Sequence, residues 1–273
     1  MKVWLNGAMV ERDAARVSVF DHGFTVGDGV FETTKVVEGR PFALTRHLAR
    51  LTTSASTMGL QAPDLDLVRA AVEQVVEQLG DTLGRVRITY TAGEAPLGSG
   101  RGDAEPTLVV AASPMTPWAA TESVVVVPWV RNERSAVAGV KTTAYAENVV
   151  ALAHAKAAGA GEALFANTAG ELCEGTGTNV FVVRDGIVRT PALEAGCLAG
   201  ITRALVLAWC PQVREERLTP ADLAGADEVF LTSATRDVQG VHAVDGRSLG
   251  NGPVTVSIAD TFVRNARLDP DPI

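Results

Sequence analysis

Lysine is scarce in this chain. Of 24 basic side chains only four are lysine, and the other twenty are arginine. Cysteine is scarcer still: Cys173, Cys197 and Cys210 form no C-x-x-C pair and are odd in number, which excludes a disulfide framework and a cysteine zinc site and points to reduced thiols in a cytoplasmic protein. No stretch approaches the ~20 uninterrupted apolar residues of a membrane span, and "MKVWLNGAMVERDAARV" holds no apolar run long enough for a signal peptide. Positive charge is outweighed, giving a net charge of −8, so there is no basic face of the kind that non-specific nucleic-acid binding needs. No internal repeat or low-complexity tract occurs. The remainder, 273 residues at 47% hydrophobic and 21% charged, has the composition of a soluble globular protein with room for two modest domains.

Both halves mix α and β patterns. "KVWLNGAMV" reads as two strands around an Asn-Gly turn, and "GVFETTKVVEGRPFAL" as a second hairpin turning at Glu38-Gly39. Leu48, Leu51, Ala55 and Met58 recur at helical spacing before a stop at Gly59, and "DLDLVRAAVEQVVEQLG" is an amphipathic helix opened by Asp and closed by Gly80. Strands "RVRITYTAG" and "PTLVVAAS" flank the polar loop "GEAPLGSGRGDAE". The aperiodic, proline-bearing "SPMTPWAAT" reads as a linker over 113–121, between a small α/β domain (1–112) and a larger one (122–273). In the second half "SVVVVPWV", "EALFAN", "NVFVVRDGIVRTP" and "DEVFLTSA" read as strands. Helices are expected from about Glu147 to Ala158, in "GITRALVLAWC" and in "SIADTFVRNAR".

Four features carry chemistry. Lys141 stands in the weakly charged stretch "VAGVKTTAYAENVVALAHA". A lysine in a partly apolar pocket is easily deprotonated, and its neutral amine forms a Schiff base with a carbonyl. Glu174, in "GELCEGTGTNVFVV", is a carboxylate at a strand–loop junction, able to hold a pyridinium N–H. Gly200, Ile201 and Thr202 open a helix whose N–H groups and hydroxyl suit a phosphate. Arg50 offers a bidentate guanidinium, and Arg46 competes with it on composition. Taken singly, these are also a surface lysine, a turn glutamate, a helix cap and a solvated arginine. Together they meet the requirements of pyridoxal 5′-phosphate (PLP).

The segments "FDHGFTVGDGVFET", "HLARLTTSA", "GVKTTAYAENVVALAHAKAAGAGEALFAN", "GELCEGTGTNVFVV", "TPALEAGCLAGITR" and "DEVFLTSATRDVQGV" follow one another over most of the chain. In that order they resemble the class IV aminotransferases, the fold-type IV PLP enzymes. This group includes D-amino acid and branched-chain aminotransferases, (R)-amine transaminases and aminodeoxychorismate lyases. The resemblance implies a mixed α/β fold, a small N-terminal α/β domain and a larger pseudo-barrel α/β domain with the cofactor between them, and a homodimer. It makes Lys141 the catalytic lysine and Glu174 the partner of the ring nitrogen. It favours Arg50 over Arg46 for the phosphate, adds Gly200, Ile201 and Thr202 there, and packs Leu198 near the ring. Ser233 or Thr235 would serve where Ala234 replaces a hydroxyl residue. Tyr145 lies one residue out of step with a cofactor-contacting tyrosine.

The same resemblance bears on substrate. "GDGVFETTKV" is similar to the D-amino acid form, with Lys35 matched and Phe31 in place of a tyrosine. Leu97 and Ser99 stand where that group carries an Arg-x-His carboxylate trap, which leaves Arg101 as a displaced candidate, with Asp103 as its possible ion-pair partner. The expectation is a transaminase moving an amino group from a D-amino acid, and from (R)-primary amines, to a 2-oxo acid by ping-pong kinetics. The alternatives are 4-amino-4-deoxychorismate lyase and branched-chain L-amino acid transamination.

Overall fold

The computed structural model describes residues 1–250 and 252–273, a mixed α/β chain that divides into two compact units. The first comprises Met1–Pro117, Val140–Tyr145 and Asp269–Ile273; the second comprises Trp118–Gly139 and Ala146–Leu268.

In the first unit six strands lie in the order β2-β1-β6-β5-β3-β4: β1 (Lys2–Leu5), β2 (Ala8–Glu11), β3 (Gly29–Val37), β4 (Arg40–Pro41), β5 (Gly84–Thr91) and β6 (Thr107–Pro114). Both anticipated hairpins form, with left-handed turn residues at Asn6-Gly7 (φ 43° and 101°) and Glu38-Gly39 (φ 49° and 69°), the backbone a two-residue hairpin turn demands. A short helix α1 (His22–Thr25) precedes β3, and α2 (Leu44–Thr57) and α3 (Leu65–Glu77) cover one sheet face. The core lies between them: Val30, Val36, Val86, Ile88 and Val110 from strands, Leu44, Leu48, Leu51 and Ala55 from α2, and Val68, Ala71, Val72 and Val75 from α3.

Segment 140–145 groups with this unit rather than with the larger domain in which the sequence reading put Lys141. The reason is backbone pairing. Phe31 N–H donates to Lys141 O (2.9 Å) and Thr143 N–H to Gly29 O (2.8 Å), so residues 141–143 run antiparallel to the opening of β3. The expected linker is also shorter than 113–121, because Ser113 and Pro114 end β6 and Thr121 starts the next strand.

The second unit is built on nine strands in the order β12-β11-β10-β13-β14-β7-β8-β9, with β15 beside β14. They are β7 (Thr121–Arg131), β8 (Glu162–Asn167), β9 (Leu172–Gly175), β10 (Asn179–Arg184), β11 (Ile187–Pro191), β12 (Arg214–Glu216), β13 (Glu228–Ser233), β14 (Asp237–Val244) and β15 (Arg247–Ser248). Pro128 falls where β7 changes register against β8, a bulge that accommodates a residue without an N–H. The helices are α4 (Ala146–Ala157), α5 (Ile201–Trp209), α6 (Pro220–Ala224) and α7 (Pro253–Leu268). Ala151 and Ala155 of α4 pack on Phe165 and Val127, Trp209 meets Phe262, and Phe181 stacks on Phe230 at 4.6 Å. Strand β14 was missed in the sequence because Gly240 and the polar Gln239 interrupt its apolar run.

Helix α2 has no cap of its own. Ala43 at its N-cap is left-handed (φ 53°) and makes no side-chain capping bond. The carboxylate of Asp271 accepts from Thr45 N (2.8 Å) and Thr45 Oγ1 (2.7 Å), Ala43 N–H donates to Pro270 O, and Arg46 donates to the carbonyls of Pro272 and Ile273. A carboxylate 226 residues away thus does the work normally done by a neighbouring Ser or Asp. Asp271→Ala should cost about 1 kcal/mol, read as a lowered urea midpoint with unchanged slope; an unchanged midpoint would mean that solvent caps α2 equally well.

Candidate functional site

In the first unit the anticipated residues form two groups. Lys141, aligned on β3 by its backbone, holds Nζ 4.5 Å from the centroid of the Phe31 ring and 5.9 Å from that of Tyr145, whose ring meets Phe31 edge-on at 5.0 Å. The guanidinium of Arg87, from β5, lies 3.7 Å over the same Phe31 ring. A cation over an aromatic face is attracted by the ring quadrupole, so Phe31 orients two cations at once. Arg87 was overlooked in the sequence because "RVRITY" reads as an alternating strand, and nothing local shows which face meets a lysine 54 positions on.

The second group lies on α2. Arg50 donates from Nε to Glu32 Oε1 and from Nη2 to Glu32 Oε2, both at 2.8 Å, and His47 donates from Nδ1 to Glu32 Oε2 at 2.7 Å. Burial pushes the Glu32 carboxyl up, but Arg50 and then His47 outweigh it and hold it at about 2. Burial holds His47 below its ordinary value, against Glu32. Arg46, the compositional rival, is engaged with the chain's last carbonyls, so the two arginines have separate tasks.

The other substrate candidates are placed differently. Lys35 Nζ lies 5.9 Å from the Phe42 ring, and Leu97 and Ser99 are exposed on the loop after β5. Arg101 pairs with Asp28 instead of Asp103, through Nε (2.7 Å) and Nη2 (2.6 Å), and donates to the carbonyls of Met58 and Gly59. His22 faces Asp28 Oδ2 (3.1 Å) and Gly98 O (3.0 Å) with its two ring nitrogens, so Asp28 and His22 together pin this loop.

In the second unit Asn179 is the hub. Its Nδ2 donates to Leu198 O (2.9 Å), while Leu198 N–H donates to Glu174 Oε2 (2.9 Å). Its backbone pairs with Thr232, just before Ser233-Ala234-Thr235. Arg131 Nε lies 3.4 Å from Glu174 Oε1, without hydrogen-bond alignment, and its guanidinium stacks on Phe165 at 4.2 Å, so its contact with Glu174 is ionic. Gly200 is the N-cap of α5 and supplies no side-chain cap; Ile201 and Thr202 of the first turn are buried. Ser233 Oγ accepts from Arg236 N–H, and the Arg236 guanidinium lies over Trp118 at 4.0 Å while Nη1 donates to Gln239.

This donor set fits PLP. The first unit offers an amine; the second unit offers a carboxylate oriented by a backbone N–H and a cation, and a helix N-terminus whose cap position must be glycine, because a Cβ at 200 would run into Asn179 Oδ1. Thr232 Oγ1, nearby, is buried with no partner among the described residues.

The model of the class IV amino-transferase family matches residues 29–244. A putative branched-chain-amino-acid aminotransferase of Methanocaldococcus jannaschii is 34% identical over 96% of this chain and 95% of its own length. A D-alanine aminotransferase of Bacillus licheniformis is 31% identical over 98% of both chains. The solved PLP-bound form of a hypothetical aminotransferase from Mycobacterium tuberculosis superposes with a TM-score of 0.88 at 27% identity, covering 100% of both chains. The chain belongs to the class IV aminotransferases. It is accordingly a PLP-dependent enzyme, working on amino donors and 2-oxo acids.

Gly200→Ala should cost about 1–3 kcal/mol by forcing the Asn179 amide off Leu198 and should weaken PLP binding, whereas Gly177→Ala, with open space around it, should do neither. Urea unfolding and PLP titration of both apo variants check this, and equal behaviour of the two would refute the cradle.

Proposed function

We propose that this enzyme transfers the amino group of a D-amino acid to a 2-oxo acid, with Lys141 as its catalytic lysine and Arg87 as the group that binds the substrate carboxylate. The observation that carries this is the shared platform: Lys141 Nζ and the Arg87 guanidinium both lie over Phe31. An amine and a carboxylate-binding fork on one ring suit a substrate bearing its carboxylate next to the reacting carbon. Arg101 is set aside for that role because Asp28 and two carbonyls take its donors. The preference for the D-series rests on Phe31 and Lys35 in "GDGVFETTKV".

PLP, when bound, supplies an electron sink through its protonated ring nitrogen. The Glu174 carboxylate, oriented by Leu198 N–H and by Arg131, holds that proton. For the phosphate the first unit offers Arg50, and the second unit offers the first turn of α5 with Ser233 or Thr235. The Lys141 amine would take the Cα proton of the donor and, in the second half of the reaction, deliver a proton to the carbonyl carbon of the 2-oxo acid.

Single-turnover spectral titration with D-alanine, L-leucine and (R)-1-phenylethylamine tests the reading. Conversion by D-alanine and none by L-leucine is expected; conversion by L-leucine alone would make the enzyme a branched-chain one, and pyruvate from aminodeoxychorismate a lyase. Arg87→Ala should raise KM for D-alanine roughly ten- to hundredfold, the worth of a charged hydrogen bond, and leave any turnover of the carboxylate-free amine unchanged.

A homodimer in the cytoplasm is proposed alongside. Outward on α4 stand Val149 (65% exposed), Val150 (54%) and Ala153, an apolar stripe at helical spacing. Such a stripe is normally covered, and three buried free thiols suit a reducing compartment. Sedimentation equilibrium should return twice the chain mass, and a monomer mass would remove the dimer.

A further inference from the structure

We infer that Glu32 is a positioning residue: it fixes the guanidinium of Arg50 in register with Lys141, and so sets the spacing between the phosphate-binding cation and the catalytic amine. The inference rests on the reading that Arg50 meets the phosphate.

Strand β3 alternates, and Val30, Glu32, Thr34 and Val36 are all buried at 1% exposure or less. Three of these four are ordinary strand residues. The fourth is a carboxylate in the interface between sheet and α2, where its desolvation penalty is large and an apolar side chain of similar volume would serve stability as well or better. Stability alone therefore does not account for it. What Glu32 adds is direction. Two parallel bonds at 2.8 Å, one to Nε and one to Nη2, fix both the plane and the rotation of the Arg50 fork, which a single contact leaves loose. His47, one turn earlier on the same helix, braces the carboxylate through Oε2. Glu32 Oε2 can only accept, so the proton on Nδ1 is His47's donor, and its Nε2 is buried with no partner among the described residues. A fully buried histidine that spends its one N–H on a carboxylate holds that carboxylate still. Arg50 itself remains 13% exposed, at the margin of the core.

The neighbouring residue holds the lysine. Phe31 N–H donates to Lys141 O, and the Phe31 ring lies under Lys141 Nζ. One turn along α2 from Arg50, Ser54 Oγ lies 3.5 Å from Lys141 N as its acceptor. Two consecutive residues of one strand thus index the two groups: residue 31 the amine through its backbone, residue 32 the guanidinium through its side chain.

The test compares two probes on apo-protein followed by visible absorbance: PLP, and pyridoxal, which lacks the phosphate. Glu32→Gln should weaken PLP at least tenfold and leave pyridoxal unchanged, and Arg50→Gln should show the same selectivity. The double variant should lose no more selectivity than Arg50→Gln alone. Equal weakening of both probes by Glu32→Gln, as from general loosening of the core, overturns the inference; so does selectivity lost in Arg50→Gln but kept in Glu32→Gln, which leaves the phosphate reading standing. Unchanged selectivity in Arg50→Gln overturns the phosphate reading itself. If Glu32→Gln does not fold, Glu32→Asp is used: it keeps the charge but is one methylene too short to span both donors, and should again weaken only PLP, with retained PLP affinity as the contrary result.

Discussion

The backbone pairing of residues 141–143 with the start of β3 is the constraint on which the rest depends. Two hydrogen bonds, Phe31 to Lys141 and Thr143 to Gly29, take a short segment out of the run of the second unit and make it part of the first. The side chains follow from that placement. Lys141 comes over Phe31, Tyr145 closes edge-on against the same ring, and Arg87 reaches across from the paired strand β5. Glycine suits this junction: Gly27 is left-handed (φ 73°) with Ala144 close by, and a Cβ at Gly29 would press on Thr91 and the Tyr90 carbonyl.

Electrostatics in the first unit is organised by carboxylates that each serve more than one donor. Glu32 takes Arg50 and His47, Asp28 takes Arg101 and His22, and Asp271 takes Thr45 twice. Asp28 is held below its ordinary value first by its bonds to Arg101, against burial. A multiply bonded carboxylate positions its partners better than an exposed pair, which contributes little and moves freely. A planar arginine fork can be aimed by a carboxylate in a way that a lysine ammonium cannot.

The second unit works through backbone groups. Leu198 is useful less for its side chain than for its N–H to Glu174 and its carbonyl to Asn179. The N-terminus of α5 has no side-chain cap, which leaves its first N–H groups and helix dipole open to an anion. Buried Glu162 gathers Ala163, Thr176 and Thr178 around the loop between Glu174 and Asn179, so the stretch "EGTGTN" is held from beneath.

The sequence by itself determined the class. Ordered motifs, hairpin turns at Asn6-Gly7 and Glu38-Gly39, the periodicity of α2 and α3, and a lysine among arginines are local signals, readable because turn geometry, helical period and residue chemistry act within a few positions. Tertiary structure decided the partners. Which of Arg46 and Arg50 is aimed by a buried carboxylate, that Arg101 belongs to Asp28, that Arg87 shares a ring with Lys141, and that Asp271 caps α2 all depend on contacts between residues far apart in the chain. One strand's pairing register sets which side chains share a face, and no local pattern encodes it.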